Sequence, residues 1–161
     1  MMELTPRRVS SEPFDLMLVE TELQPLKTSG LLQFVGGMVE YSGIKNLSSF
    51  VLPSAYVILG PESAKTTATG KNRAQVVDFQ FGVVVAVRNN RAGSSGAGAL
   101  RDTLNPILGA IRDLLIGWHP AALTTPVEWI GGQPLDYDAG TLVWLDRYRA
   151  QHTIGRRRCQ Q

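Results

Sequence analysis

The chain has 161 residues, of which 43% are hydrophobic and 19% are charged, and this length and balance predict one compact domain. Lys and Arg number 16 against 14 Asp and Glu, so the formal net charge is +2, which does not indicate a nucleic-acid binder. A single cysteine, Cys159, excludes an internal disulfide framework and a thiolate metal cluster. The polar start and the lack of an apolar run near ~20 residues predict a soluble intracellular protein.

The first third of the chain predicts a polar arm, one helix and one short strand. Residues 1–13 carry little to bury and form the predicted N-terminal arm. A helix is predicted over residues 14–26, with Ser11 or Asp15 as its cap and Pro25 as its end. A short strand is predicted over residues 31–35.

Residues 38–52 give an ambiguous pattern that favours a short helical turn. A second strand is predicted over residues 55–59, ended by Gly60-Pro61, and residues 62–73 then form a polar loop. Residues 76–87 give the clearest strand signal of the chain. Every second residue of this strand is apolar, whereas the alternate positions include Asp78, Gln80, Gly82 and Ala86, and this alternation predicts a half-buried antiparallel strand.

A Gly/Ser-rich loop is predicted over residues 89–98, and it leads into the main helix of the chain. Apolar residues recur there at steps of three and four and so share one stripe of a helix. They are Leu100, Leu104, Ile107, Leu108, Ile111, Leu114, Leu115 and Trp118. Arg112 lies off this stripe, and Pro106 is expected to kink the helix or to split off its first turn.

Three strand candidates follow, over residues 127–130, 134–137 and 141–151, with Gly131-Gly132 between the first two and a hairpin turn at 138–140. Residues 155–161 form a predicted basic tail that contains Arg156, Arg157 and Arg158. The fold class that follows is α+β. We expect an antiparallel sheet with two main helices on one face, in a single domain over residues 14–154.

Several segments resemble catalytic or ligand-binding sites, but each is better explained by a structural role. Residues 60–66 (GPESAKT) resemble a phosphate-binding loop, but Ala64 replaces its second glycine and Pro61 removes a backbone donor, which favours a solvated loop. Asp136 and Asp138 suit a turn better than a metal site. His119 and His152, the only histidines, have no visible partners for a catalytic triad. We therefore predict no enzyme activity, no cofactor and no metal.

The aromatic and basic residues also leave two interpretations open. Arg156, Arg157 and Arg158 suit either contact with DNA phosphates or a solvated tail. The three tryptophans, Trp118, Trp129 and Trp144, are better explained as core or interface anchors than as base-stacking platforms.

The order of the motifs resembles a known family. The motifs are PSAYVIL at 53–59, FGVVVAVRN at 81–89, LIGWHP at 115–120, Gly131-Gly132 and WLDRY at 144–148. This series resembles the tail terminator proteins of long-tailed bacteriophages and prophages, in particular the Mu-like group, from about residue 14 to about residue 153. The N-terminal arm and the Arg-rich end lie outside the resemblance.

The resemblance implies a structural virion protein of the tail and neck, assembled in the host cytoplasm, without enzyme activity, cofactor or membrane contact. Such a protein forms a hexameric ring that caps the tail tube, stops its polymerisation and joins it to the head-to-tail connector. The implied partners are further copies of the chain, the tube protein, the connector or completion protein, and DNA passing through the lumen. The alternatives are a connector or completion protein, a tail-tube subunit, or a small nucleotide- or DNA-binding module.

The polar loops at 62–73 and 89–98 are either assembly elements that order on contact with neighbours or loose surface loops. The loop at 89–98 is predicted to be an assembly element, because loops held by a rigid scaffold commonly carry function. The candidate interface residues are Arg88, Asn89, Asn90, Arg91, Lys65, Lys71 and Arg73.

Overall fold

A computed structural model of the chain describes residues 11–67, 74–88, 96–121 and 124–155, with the side chains of 96–101 left out. The helices are α1 (Met17–Thr28), α2 (Met38–Ser42) and α3 (Gly96–Leu115), and a 3-10 turn spans Leu47–Ser49. The strands are β1 (Phe34–Gly36), β2 (Ser54–Ala64), β3 (Ala74–Arg88), β4 (Glu128–Tyr137) and β5 (Thr141–Gly155). Together these elements form a single mixed α/β domain.

The five described strands form one sheet with the order β1-β2-β3-β5-β4. The β2/β3, β3/β5 and β4/β5 pairs are antiparallel as predicted, but β1 pairs with β2 in parallel, so a wholly antiparallel sheet was the wrong expectation. A parallel pair needs a crossover of about a dozen residues or more. The chain supplies it through α2 and the 3-10 turn, which confirms the helical turn predicted within 38–52.

The main core lies between one face of the sheet and the helices α1 and α3. Val19 and Leu23 of α1 are buried in the same cluster as five residues of the α3 stripe. The sheet contributes the predicted inward residues of β3, from Phe79 to Val87 at every second position. The buried α3 residues are Leu104, Ile107, Leu108, Ile111 and Leu115.

A second, smaller core covers part of the opposite sheet face. Tyr56, Val84, Ala86 and Val143 are buried there under side chains from the 37–52 segment, including Tyr41 and Phe50. Residues 81–87 of β3 are therefore buried throughout, and the half-buried strand that alternation predicted is wrong for this part. The apolar Val84 and Ala86 at the alternate positions of β3 are the sign of this second buried face in its sequence. The segment that covers them comes from an earlier stretch of chain.

Gly60-Pro61 does not end β2, which continues to Ala64. The register shifts between Leu59 and Glu62, and β1 pairs only with residues 54–56, so β2 has no strand neighbour on its outer side at Pro61 among the described residues. Proline is tolerated at bulges and on edge strands because its missing N–H then costs no ladder hydrogen bond.

Two prolines lie inside helices, and Pro25 does not end α1 as the sequence predicted. Helix α1 runs three residues past Pro25, and the Pro25 carbonyl still accepts a hydrogen bond from the Ser29 N–H at 2.9 Å. Helix α3 begins at Gly96 and continues through Pro106. The burial of Leu104, Ile107 and Leu108 on either side of Pro106 offsets the one hydrogen bond that a proline removes.

The strand candidates at 127–130 and 134–137 are one strand, β4, with Gly131-Gly132 inside it. The predicted turn at 138–140 is confirmed, since Asp138 Oδ1 accepts hydrogen bonds from the N–H groups of Gly140 and Thr141, both at 2.7 Å. Gly155 closes β5, so the predicted basic tail begins one residue later, and residues 156–161 lie outside the described residues. Residues 1–10 and 89–95 also lie outside them.

Replacing Leu115 by Ala is expected to destabilise the domain strongly, because Leu115 is fully buried. The lost transfer free energy and the cavity left behind should lower the free energy of unfolding by about 2–5 kcal/mol. The matched control is Ile116→Ala one residue further on, since Ile116 is 51% exposed. Chemical denaturation of the two variants measures the difference, and equal midpoints would contradict this account of the core.

Candidate functional site

The structure describes two of the seven predicted interface residues, Lys65 and Arg88, and the other five lie outside the described residues. Lys65 follows the end of β2, where its N–H donates to the Val76 carbonyl at 2.8 Å, and Arg88 ends β3. With strands rising about 3.3 Å per residue, the twelve residues from Val76 to Arg88 place Lys65 and Arg88 at opposite ends of the sheet, roughly 40 Å apart. The fold does not bring these two residues together. The other five, Asn89, Asn90, Arg91, Lys71 and Arg73, remain predictions.

Arg88 is exposed and borders a groove of about 260 Å³ at the Arg88 end of the sheet. Leu31, Pro53 and Ile107 contribute apolar surface to this groove, and Asp102 of α3 contributes an acid. The Arg88 end of the sheet thus combines an apolar surface with charges of both signs, which suits contact with another protein.

Lys65 borders a pocket of about 290 Å³ that is mostly polar. The other charged side chains that line this pocket already have partners within the chain. Arg149 Nε donates to Glu128 at 2.9 Å, and Gln151 Nε2 donates to Asp78 at 2.8 Å. Residues 60–64 of the phosphate-loop imitation lie in strand β2. Successive N–H groups of an extended strand point to opposite sides, so this segment does not form a phosphate cradle.

The remaining polar candidates have structural partners. Asp138 caps the hairpin turn, and Asp136 Oδ1 accepts from the N–H of Tyr137 at 2.8 Å. His119 Nδ1 lies 3.2 Å from the Thr124 carbonyl, and His152 Nε2 lies 3.2 Å from Glu62 Oε1. Over residues 11–67, 74–88, 96–121 and 124–155, no three His, Cys, Asp or Glu side chains are grouped to hold a metal ion.

The most elaborate polar arrangement surrounds Asp146, whose side chain is completely buried. Arg112 of α3 binds it through two hydrogen bonds, from Nε to Oδ2 at 2.8 Å and from Nη2 to Oδ1 at 2.9 Å. Trp144 Nε1 donates to Oδ1 at 2.8 Å, and the Tyr148 hydroxyl donates to Oδ2 at 3.1 Å. Four hydrogen bonds from three side chains therefore satisfy one carboxylate, and we call Asp146, Arg112, Trp144 and Tyr148 the Asp146 cluster.

Asp146 remains ionised in spite of its burial. Burial raises its pKa, but the hydrogen bonds from Arg112 and Trp144 and the positive charge of Arg112 outweigh this effect, so the pKa lies below the ordinary value for aspartate. The pKa of Tyr148 is raised, first by burial and then by the negative charge of Asp146. At neutral pH the cluster is thus a carboxylate held by a guanidinium, an indole and a neutral phenol.

The Asp146 cluster fixes α3 against the strands β4 and β5. The Arg112 guanidinium lies 4.7 Å from the centre of the Trp129 ring on β4, within cation–π distance. A side chain at Gly132 of β4 would come within 2.9 Å of Trp144 Nε1 and would collide with Asp146 Oδ1. Gly132 is therefore needed for close approach to the cluster, and the Gly-Gly pair predicted as a strand boundary has a packing role instead.

Sequence reasoning missed the Asp146 cluster. Arg112 was predicted to lie off the buried stripe of α3, yet it reaches the sheet and is only partly exposed. A usable signal lies in β5, whose inward positions include Leu142, Trp144, Tyr148 and Ala150. Asp146 stands among them at the same two-residue spacing, and a buried charge requires a partner.

Beside the cluster, strand β4 forms one edge of the sheet and is exposed along most of its length. Trp129 and Leu135 are about two-fifths exposed, at 42% and 41%, and Tyr137 is 60% exposed. Trp118 and Trp144 pack against the main core instead, which confirms the prediction of core anchors for these two residues. An interface role for Trp129 stays a prediction. Pro134 and two register shifts interrupt the strand, and such features discourage indiscriminate strand pairing.

Comparison with known proteins places these features in a family. The family described as "Phage tail terminator protein" matches residues 9–159. This chain therefore belongs to the phage tail terminator family, and it is a structural protein of a phage-type tail and a component of the virion. Among curated protein sequences none matches it.

One similar solved structure is entitled "Virion of native gene transfer agent (GTA) particle". It is 16% identical over 84% of this chain and 91% of the other, with a TM-score of 0.47. At this level of similarity it adds no detail about the present chain. In the part of the chain that the structure describes, no helix has the length and apolar character needed to cross a membrane.

Replacing Asp146 by Asn should lower the free energy of unfolding at pH 7 by about 3 kcal/mol, near the lower end for a broken buried ion pair because Arg112 reaches solvent. The pKa of Asp146 is depressed in the folded state, so its contribution is complete above the unfolded-state pKa of about 3.9. It is lost as the pH falls through the folded-state value.

Urea denaturation of both proteins between pH 7 and pH 3 measures this difference. The stability difference between them should therefore be constant above about pH 5 and shrink towards pH 3. A difference that is independent of pH would show that the Asp146 charge does not stabilise the fold.

Proposed function

We propose that the protein forms a hexameric ring that caps the tail tube, stops its polymerisation and joins the tail to the head connector. Membership of the tail terminator family over residues 9–159 is the observation that carries this proposal. The sequence resemblance from residue 14 to residue 153 agrees with it independently of the geometry. The proposed assembly takes place in the host cytoplasm before the ring becomes part of the tail and neck.

The surface of the domain supports a function through contacts with other proteins. Exposed large apolar side chains lie along β4 and on α2, where Val39 is 81% exposed and Met38 is 48% exposed. Clusters of such side chains on a folded domain mark interaction sites. A ring subunit needs at least two such regions, because neighbours in a ring meet through different surfaces that close on themselves.

The proposed partners are neighbouring copies of the chain, the tail tube protein and the connector or completion protein. Lys65 and Arg88, at opposite ends of the sheet, suit contacts with two different partners above and below the ring. DNA that passes through the lumen is a further proposed contact for the basic residues 156–158. No cofactor, catalytic group or membrane is part of the proposal.

Tails assembled without this protein test the proposed function directly. If the protein terminates the tube, electron microscopy should show tubes that exceed the normal length and carry no heads, because nothing stops tube polymerisation. Supplying the wild-type chain from a plasmid should restore normal length. Normal-length tubes without heads would instead identify a connector or completion protein, and an absence of tubes would identify a tube subunit.

Reversing the charge at Arg88 and Arg91 together tests the predicted interface at the Arg88 end. Because Arg88 is exposed, the free energy of unfolding of the double variant Arg88→Glu/Arg91→Glu should differ from that of the wild type by at most about 0.5 kcal/mol. Its yield of head-joined tails should fall, because the charges face a partner. Lys45→Glu, an exposed change in the 37–52 segment, is the control. A normal yield of head-joined tails from the double variant would show that Arg88 and Arg91 do not lie in the interface.

A further inference from the structure

Three side chains of β4 form a strip on the face of the sheet that carries α1 and α3. Directly paired residues of neighbouring strands lie on the same face of a sheet. Trp129, Pro134 and Tyr137 pair with Tyr148, Trp144 and Leu142 of β5, which belong to the main core or pack against it. Leu142 and Tyr148 are six positions apart on β5, so at about 3.3 Å per residue the strip is roughly 20 Å long. We call Trp129, Pro134 and Tyr137 the β4 strip.

The β4 strip is apolar and yet exposed to solvent. Trp129 is 42% exposed and Tyr137 is 60% exposed, and Pro134 is exposed as well. On the same flank of α3 as Arg112, which contacts the Trp129 ring, Ile116 follows one helical turn later and is 51% exposed. Apolar side chains clustered on a folded domain mark an interaction site. Because Pro134 offers no N–H for strand pairing, a partner of this strip is bound through side chains.

The N-terminal arm leaves the domain on the opposite side of the sheet from β4. Phe14 stacks on Phe79 of β3 with ring centres 4.2 Å apart, and its N–H donates to Glu62 Oε1 of β2 at 3.3 Å. Residues 11–13 are exposed, so the chain before Phe14 departs beside β2. Strands β3 and β5 stand between β2 and β4, and at about 4.8 Å per strand this separates β2 from β4 by roughly 14 Å.

The arm also departs near the height of Trp129 along the strands. One row of paired residues crosses the sheet at that height and consists of Leu59, Phe81, Tyr148 and Trp129. Phe14 contacts Phe81 of this row, with ring centres 6.2 Å apart, and Phe79 two positions away. A copy placed beside β2 by rotation about an axis along the strands therefore offers its β4 strip to the arm at a matching height.

The sequence of residues 1–10 suits the β4 strip in length and polarity. Apolar and polar residues alternate from Met2 to Arg7, so an extended chain would place Met2, Leu4 and Pro6 on one side. The seven steps from Met2 to Val9 span roughly 23 Å when extended, which is close to the length of the strip. Methionine fits irregular apolar surfaces and makes favourable contacts with aromatic rings, and the strip offers two such rings.

Charge complementarity favours the same pairing. Strand β4 and its turn, over residues 128–140, carry three acids and no Lys or Arg. Glu128 is already paired with Arg149, whereas Asp136 and Asp138 stand on either side of Tyr137 in the chain. The arm brings the opposite charge through Arg7 and Arg8. Opposite charges on two surfaces select the partner and its orientation.

We propose that residues 1–10 of one copy of this chain bind the β4 strip of the next copy. This inference deepens the proposed ring and rests on it. The arm departs beside β2 and the strip lies on β4, so the contact joins unlike surfaces, and a rotation that closes makes it a ring. Residues 1–8 lie outside the range that matches the family. The contact is therefore a feature of this chain that family membership does not supply.

Cysteine cross-linking with a short bismaleimide tests the contact on tails assembled in cells that make the variant with the other tail proteins. The variant carries Leu4→Cys and Tyr137→Cys in a Cys159→Ser background. It should give a ladder of covalent oligomers up to the full ring, whereas each single-cysteine variant should remain monomeric. In the matched control, Gln133→Cys replaces Tyr137→Cys. Gln133 is exposed on the other face of β4, where it pairs with Leu145 of the second core, so this variant should give no ladder.

Removing either partner of the contact tests its contribution to assembly. Deleting residues 2–8 should leave the urea midpoint of the chain unchanged, because the arm binds another copy and not its own domain. The amount of the chain retained on tails, relative to the tube protein, should fall about tenfold, as expected when a central contact of an interface is lost. Tyr137→Ser should lower it in the same direction. Val51→Ser is the control, because Val51 is 50% exposed outside the strip.

The outcomes separate this inference from the proposed function. A cross-link within one chain shows that the arm binds its own domain, and a cross-link to the tube or connector protein shows a different occupant. Either result overturns the contact, as does the absence of a ladder or an unchanged amount of the shortened chain on tails. Each of these results leaves a tail terminator in place. Normal tails in the complete absence of the protein overturn the proposed function instead.

Discussion

A single buried carboxylate determines how the second half of the domain is arranged. Asp146 has no exposed surface and stays charged, and this is possible only because Arg112, Trp144 and Tyr148 all donate to it. Removing a charge from water costs several kcal/mol unless its partners are in place. The carboxylate therefore fixes the position of α3 over β5, and the close approach of Gly132 extends that constraint to β4.

The Asp146 cluster also holds part of the outer surface of the domain in place. Arg112 is buried on the side of Asp146 and meets the Trp129 ring on its other side, so an edge residue rests directly on the buried ion pair. The proposed ring needs an edge that keeps one shape, because each copy must meet the next with the same geometry. The register shifts of β4 and Pro134 prevent other strands from pairing with this edge. Contacts at the edge are then made by side chains and not by backbone hydrogen bonds.

How far the sequence alone predicted the fold and the site depends on the range of the interactions involved. Alternation along residues 76–87 predicted β3 and its buried face, and the three- and four-residue spacing after Leu100 predicted α3. The turn at Asp138 followed from local side-chain chemistry. Three features of the sheet were not predicted, because each depends on a neighbouring strand that is distant in sequence. Strand β1 is parallel to β2, β2 continues through Gly60-Pro61, and two predicted strands form the single strand β4. Of the seven predicted interface residues, the structure describes Lys65 and Arg88, and the sequence did not indicate that they lie at opposite ends of the sheet.

The sequence by itself thus determined one domain with a strand-rich core, its family resemblance, and the side of β3 and α3 that is buried. These properties follow from the periodicity of side chains along each element, which is local. Only the tertiary structure decided that Arg112 reaches Asp146, that β4 forms an exposed edge of the sheet, and which segment covers the second face of β3. These properties depend on which elements become neighbours, since the free energy of a buried charge or a covered face is set by residues far away in the chain.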